Sequence, residues 1–249
     1  MAVENGEWIM KGLSWNDPYR IRSWRELVNW VNEIGFLPLF ANETEGFSAE
    51  EHVSPDFWWS GDPEQDPWVW REIIAESRQL AYGKFFDKKA GFISPSWIPY
   101  FANYRRDGYD FDSRWEDGLM NRREKNIMDL LTERDPDNEI VWTAEERLST
   151  DVKKLAGFGK GGDKNFPGIL TGLQMQLYLV TVGFRRRRNK KGGEYGMPVS
   201  VLLPPEAVWG YEHVTAAYNE PPAQSRQRII NRVLELFPQA DEKTVKRML

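Results

Sequence analysis

From residue 121 the apolar positions fall at helical spacing. Ile127, Leu130 and Leu131 alternate with charged residues, which predicts a helix over 121–134. Asp135-Pro136-Asp137-Asn138 stops it, since proline lacks the amide that a helix needs and Asp and Asn favour turns. Ile140, Val141 and Trp142 predict a very short strand. Thr143, with Glu146 three residues on, makes a capping box that opens a second helix, with Leu148, Val152 and Leu155 as its buried stripe. A basic glycine-rich turn follows, and Asn165 is placed to cap a third helix through Ile169, Leu170 and Leu173. From Leu177 the period changes to two. Tyr178, Val180 and Val182 alternate with Leu179 and Thr181, as in a strand. Asn189 to Gly193 is a turn, and Met197 to Leu203 a second strand. Helix, short strand, helix, helix and hairpin is the order of a winged helix, a relative of the helix-turn-helix.

The first half repeats that order. Ser23 and Glu26 form a capping box for a helix through Trp24, Leu27, Val31 and Ile34, which ends at Gly35. Phe36 to Leu39 predicts the short strand. Ser48 and Glu51 open a brief helix, and Asp66 caps a third one, with Pro67 at its first position. Residues 80–86 and 91–94 flank a basic turn at 87–90. The fold class is therefore α+β, mainly helical, with tandem winged-helix units and short β-hairpin wings. Residues 1–21 are an N-terminal extension. Residues 22–106 form the first unit with a connecting helix, 107–120 a linker packed on the surface, and 121–204 the second unit. Helices over 205–249 could be a truncated third unit.

Hydrophobic residues at 41 % and charged residues at 29 % fit a globular chain. No cysteine is present, which excludes disulfides, thiolate metal sites and thiol nucleophiles. With His52 and His213 as the only histidines, no metal and no cofactor is expected, and both are read as packing or surface residues. The N-terminus has neither a basic start nor a long apolar run, so a cytoplasmic protein with no membrane partner is expected. The net charge of −5 argues against an indiscriminate nucleic-acid binder, but Arg185, Arg186, Arg187, Arg188, Lys190 and Lys191 gather basic charge in the second hairpin.

Several groups could carry chemistry. Arginine suits phosphate because its planar fork donates two hydrogen bonds, although alternation along a strand leaves about half of such a run on one face. The alternative is a solvated edge that discourages strand pairing. Lys160 and Lys164 would extend this footprint, and Lys84, Lys88 and Lys89 form a smaller one in the first hairpin. Residues 166–176 contain no arginine, lysine or asparagine, so contacts mainly to the DNA backbone are expected, with weak sequence preference. Nine of the twelve tryptophans lie between Trp8 and Trp97, where they should fill a core or, alternatively, line a groove in which bases stack. Phe57 to Trp70 combines tryptophans with acids. Asp62, Asp66 and Glu72 are the candidate catalytic carboxylates there, against the plainer reading of Asp66 as a helix cap. Gln174 and Gln176, at the end of the third helix of the second unit, are further candidates, against a reading as two exposed amides at a junction.

The stretches ELVNWVNEIGFLPLF (26–40), AYGKFFDKKAGFISPSWIPYFANYRR (81–106) and GFRRRRNKKGGEYGMPVSVLLPPEAVWG (183–210) resemble the AlkZ-type winged-helix DNA glycosylases. The resemblance spans about residues 22 to 249. It implies tandem winged helices that surround duplex DNA, and excision of alkylated or crosslinked bases. It also implies a catalytic motif of two polar residues around an apolar one, just after the first helix. At that place the chain reads Gly35-Phe36-Leu37-Pro38-Leu39-Phe40, so the polar positions fall on Pro38 and Phe40, neither of which can orient a water or carry a proton. The family motif is not retained. The first reading is thus a DNA-repair-related protein with DNA as its partner. The second is a non-catalytic winged-helix module for a protein partner, and the third a small-molecule enzyme that uses the tryptophan-rich loop as a pocket.

Overall fold

The computed structural model describes residues 2–4, 7–137, 139–142, 145–189 and 191–249. Strands Ala2–Glu4 (β1) and Glu7–Ile9 (β2) pair ahead of the first helix. Helix Trp24–Ile34 (α1) begins where the Ser23 hydroxyl accepts from the Glu26 amide and the Glu26 carboxylate accepts from the Arg22 amide. Its inner face buries Leu27, Val28, Val31 and Ile34. It ends at Gly35, whose φ of 105° few residues with a side chain adopt and where a Cβ would strike the Trp97 indole. Strand Phe36–Pro38 (β3) follows. Ser48 accepts from the Glu51 amide as the capping pair requires, yet only a short 3-10 turn, Glu50–His52, forms. Helix Pro67–Ser77 (α2) is capped by Asp66. Strands Ala81–Phe86 (β4) and Lys89–Ile93 (β5) are joined by Asp87 and Lys88 alone. Both have positive φ, the pair of left-handed residues that a two-residue hairpin turn uses, so the turn is shorter than the expected 87–90.

Helix Ile98–Arg106 (α3) matches the connecting helix. The segment read as a linker contains a helix, Phe111–Glu116 (α4), capped by Asp110. Helix Arg122–Met128 (α5) is shorter than its apolar spacing predicts. Leu131 is buried beyond its end, and Glu133–Arg134 (β6) pairs with Ile140–Val141 (β7). Asn138 and Thr143, assigned to the stop signal and the capping box, lie outside the described residues. Glu146 opens no helix. Arg147–Leu148 (β8) is a strand, and helix Ser149–Leu155 (α6) starts only after it. Leu155 is exposed, because the buried stripe of α6 continues from Val152 to Ala156. Helix Phe166–Met175 (α7) begins at Asn165, which is left-handed and makes no side-chain cap; its amide instead lies over Gly168. Strands Val180–Arg188 (β9) and Glu194–Leu203 (β10) form the long hairpin. Helices Pro205–Trp209 (α8), Tyr211–Val214 (α9), Pro222–Leu236 (α10) and Glu242–Met248 (α11) complete the chain.

The two hairpins share one antiparallel sheet of order β3-β5-β4-β9-β10-β8, joined where Tyr82 of β4 faces Thr181 of β9. One core lies under the first half and takes in α10 and α11; a second gathers Phe111, Ile127, Leu131, Val152, Leu173 and Tyr178. Phenylalanine fills the first core more than tryptophan does. Phe36, Phe47, Phe85, Phe86, Phe92 and Phe101 are buried, but of the described tryptophans in the first half only Trp58 and Trp70 are, the indole being too large to enclose easily. Arg106 of α3 ties the halves together. It is fully buried, pairs with Glu206 at 2.5 Å, and donates to the Leu177 carbonyl at 2.5 Å. The charge of Glu206 holds it protonated against the cost of burial.

Candidate nucleic-acid interface

Elements from both halves enclose a cleft of about 710 Å³ between α2, the β4–β5 hairpin, α7 and the β9–β10 hairpin. Phe40, Trp68, Tyr82, Phe166, Leu170 and Phe184 give it apolar walls, and Glu72, Lys84, Thr171 and Gln174 line it as well. Arg71 is buried beside it. Its guanidinium lies 3.7 Å from the Trp68 ring centre and 4.2 Å from that of Phe184, a planar cation between two aromatic faces. It also donates to Glu72 Oε1 at 3.0 Å. Burial raises the Glu72 carboxyl above the usual carboxylate range, while the charge of Arg71 works in the opposite direction. Burial likewise raises the Tyr82 hydroxyl.

Gln174 is not an exposed amide. It is buried, accepts from the Lys84 amide at 3.3 Å and donates to Thr181 Oγ1 at 3.1 Å, so it fastens α7 to both hairpins. Lys84 Nζ donates to Thr171 Oγ1 at 3.4 Å, and Lys88 and Lys89 stand on the cleft rim. Gln176 caps the end of α7 outside the cleft. Asp66 is buried, and its carboxylate accepts from the amides of Trp59, Gly61 and Trp68 at 2.8–3.1 Å, which occupies it as a cap and loop clamp. Asp62 braces the adjoining turn through the Glu64 amide at 2.9 Å. Of these three acids, only Glu72 reaches the cleft. Phe40, at one of the places where the resemblance expects a polar group, lines its wall and stacks on Trp58 at 5.7 Å.

A second groove, of about 730 Å³, adjoins the cleft. It is lined by Arg185, Arg186 and Arg188 with Glu72, Glu146 and Glu194. Three of the four arginines of the run thus share one groove, and the β9–β10 register beside them is broken between Tyr195 and Val199. All four arginines are exposed. Arg185 pairs with Glu146, which also holds Arg78; Arg188 lies 3.5 Å from Glu194, and Arg187 sits 5.0 Å over the Tyr195 ring. Lys160, Lys164 and Lys191 are exposed away from the cleft walls, and Lys190 lies outside the described residues. His52 bonds the Gly46 carbonyl at 2.8 Å and packs on Trp30; His213 bonds the Pro95 carbonyl at 2.9 Å. Sequence reasoning missed Arg71, Tyr82 and Phe184, which no motif singles out, and it placed Glu146 in a capping box.

The molecule is thus an α+β protein, mainly helical, whose two hairpins meet in one sheet and border an apolar cleft beside a basic groove. The chain belongs to the AlkZ-related family, which it matches over residues 21–249, and it is therefore related to DNA-repair glycosylases. No curated protein and no solved structure matches it. Among the described residues no helix is long and apolar enough to cross a membrane.

Proposed function

We propose that this chain is a cytoplasmic protein of two tandem winged-helix units that binds duplex DNA, intact or damaged, with weak sequence preference. The observation that carries this reading is the meeting of two spaces. A groove with exposed arginines suits phosphates, and the cleft beside it has aromatic walls and a lysine-bearing rim. Helix α7 supports weak sequence preference, since it offers no arginine, lysine or asparagine to base edges. The test is fluorescence anisotropy with intact and methylated duplexes at low and moderate salt. Binding that weakens as salt rises supports the reading through counterion release. No binding to either duplex at low salt rejects it.

A further inference from the structure

Glu72 lines both the apolar cleft and the arginine groove, and among the described residues no other ionisable side chain lines both. In a nucleotide the sugar lies between phosphate and base. If the groove holds a phosphate and the cleft the attached base, a side chain at their junction faces the sugar carbon that joins them. On the reading that this face binds DNA, we propose that Glu72 is a catalytic carboxylate for hydrolysis of the N-glycosidic bond of a damaged nucleotide.

The step balances without a cofactor. A water attacks C1′ of the sugar and gives a proton to the Glu72 carboxylate. The C1′–N bond breaks, and its electron pair leaves with the base. An alkylated, cationic base departs neutral, and an abasic sugar with a 1′-hydroxyl remains. The surroundings of Glu72 suit this task. Arg71, stacked between Trp68 and Phe184, holds one carboxylate oxygen at 3.0 Å. Burial raises the carboxyl above the usual carboxylate range, against the charge of Arg71. The other candidates are engaged or absent. Asp66 is engaged by three backbone amides and Gln174 by Lys84 and Thr181, and neither Asp62 nor Gln176 lines either space.

The experiment uses the full chain and Glu72→Gln with a duplex treated with dimethyl sulfate, following binding by anisotropy and released methylated base by chromatography. We expect the wild type to release base and Glu72→Gln to be at least about 100-fold slower, the scale of a lost general base, with binding retained. The wild-type rate should rise with pH as Glu72 loses its proton and then level off, and the variant should lose that limb. Release by Glu72→Gln at the wild-type rate, or binding without release by the wild type, overturns the assignment and leaves the DNA-binding reading standing. Loss of all salt-dependent binding by the wild type overturns that reading itself.

Discussion

The two hairpins belong to one sheet but meet opposite surroundings. The β4–β5 hairpin has its apolar residues Phe85, Phe86, Phe92 and Ile93 enclosed, with Lys84 facing the cleft. Even its tight turn is held, since the Asp87 amide donates to the Met248 carbonyl at 2.9 Å. The β9–β10 hairpin is buried only at its base, through Val180, Val182, Val201 and Leu203, and then leaves the core with its arginines and Met197 exposed. The lesson is that the same motif does two jobs. Apolar contact makes the first hairpin a structural centre, while the far end of the second has backbone pairing and charge but little packing, which leaves its side chains exposed to solvent.

The largest expected effect tests the first hairpin. Phe86 packs near Phe36, Phe47 and Phe101, with ring centres at 6.2, 6.5 and 6.2 Å. Phe86→Ala should lower unfolding free energy by about 3–5 kcal/mol in urea titrations. A loss below about 1 kcal/mol, within the range of surface substitutions, would break the contrast.

Next comes the second hairpin. Changing Arg185, Arg186, Arg187 and Arg188 together to Gln should leave stability within about 1 kcal/mol, since exposed pairs contribute little. DNA affinity at low salt should fall about 100-fold, roughly 2.7 kcal/mol, and the dependence of log affinity on log salt should flatten by about 2–4. Unaltered affinity in anisotropy would place the DNA contact elsewhere.

Gln174→Leu probes the join between the hairpins. It strands Thr181 and the Lys84 amide, and should cost about 1–3 kcal/mol in thermal or urea unfolding. An unchanged midpoint would mean that the sheet and core hold the halves together without this amide. The smallest effect is that of Glu146→Gln. It loosens Arg78 and Arg185, so stability should fall by less than about 1 kcal/mol while DNA binding tightens as Arg185 is freed for phosphate. Weaker binding would show that Glu146 orients the arginine productively rather than competing with the DNA.

Much of this layout is legible in the residues. Ser23 before Leu27 and Val31 marks α1, and Asp66-Pro67 marks α2, because caps and apolar spacing act within one or two helical turns. The alternation read from Leu177 reveals β9 for the same short-range reason, although the strand itself begins only at Val180. The signals that mislead are the ones a distant neighbour overrides. Leu130 and Leu131 extend the helical spacing of α5, but Leu131 is buried past the helix end by the second core. Glu146 has the spacing of a capping box, yet its partners are Arg78 and Arg185, far along the chain.

The sequence by itself determined the α+β class, most of the helices, both hairpins and the basic character of the second hairpin, since each depends on neighbours a few positions apart. Only the tertiary structure decided that the hairpins share a sheet, that Gln174 is buried between them, and that Glu72 rather than Asp62 or Asp66 lies where cleft and groove meet. Burial and charge pairing depend on which surfaces the folded chain brings together, and no spacing along the sequence carries that distance.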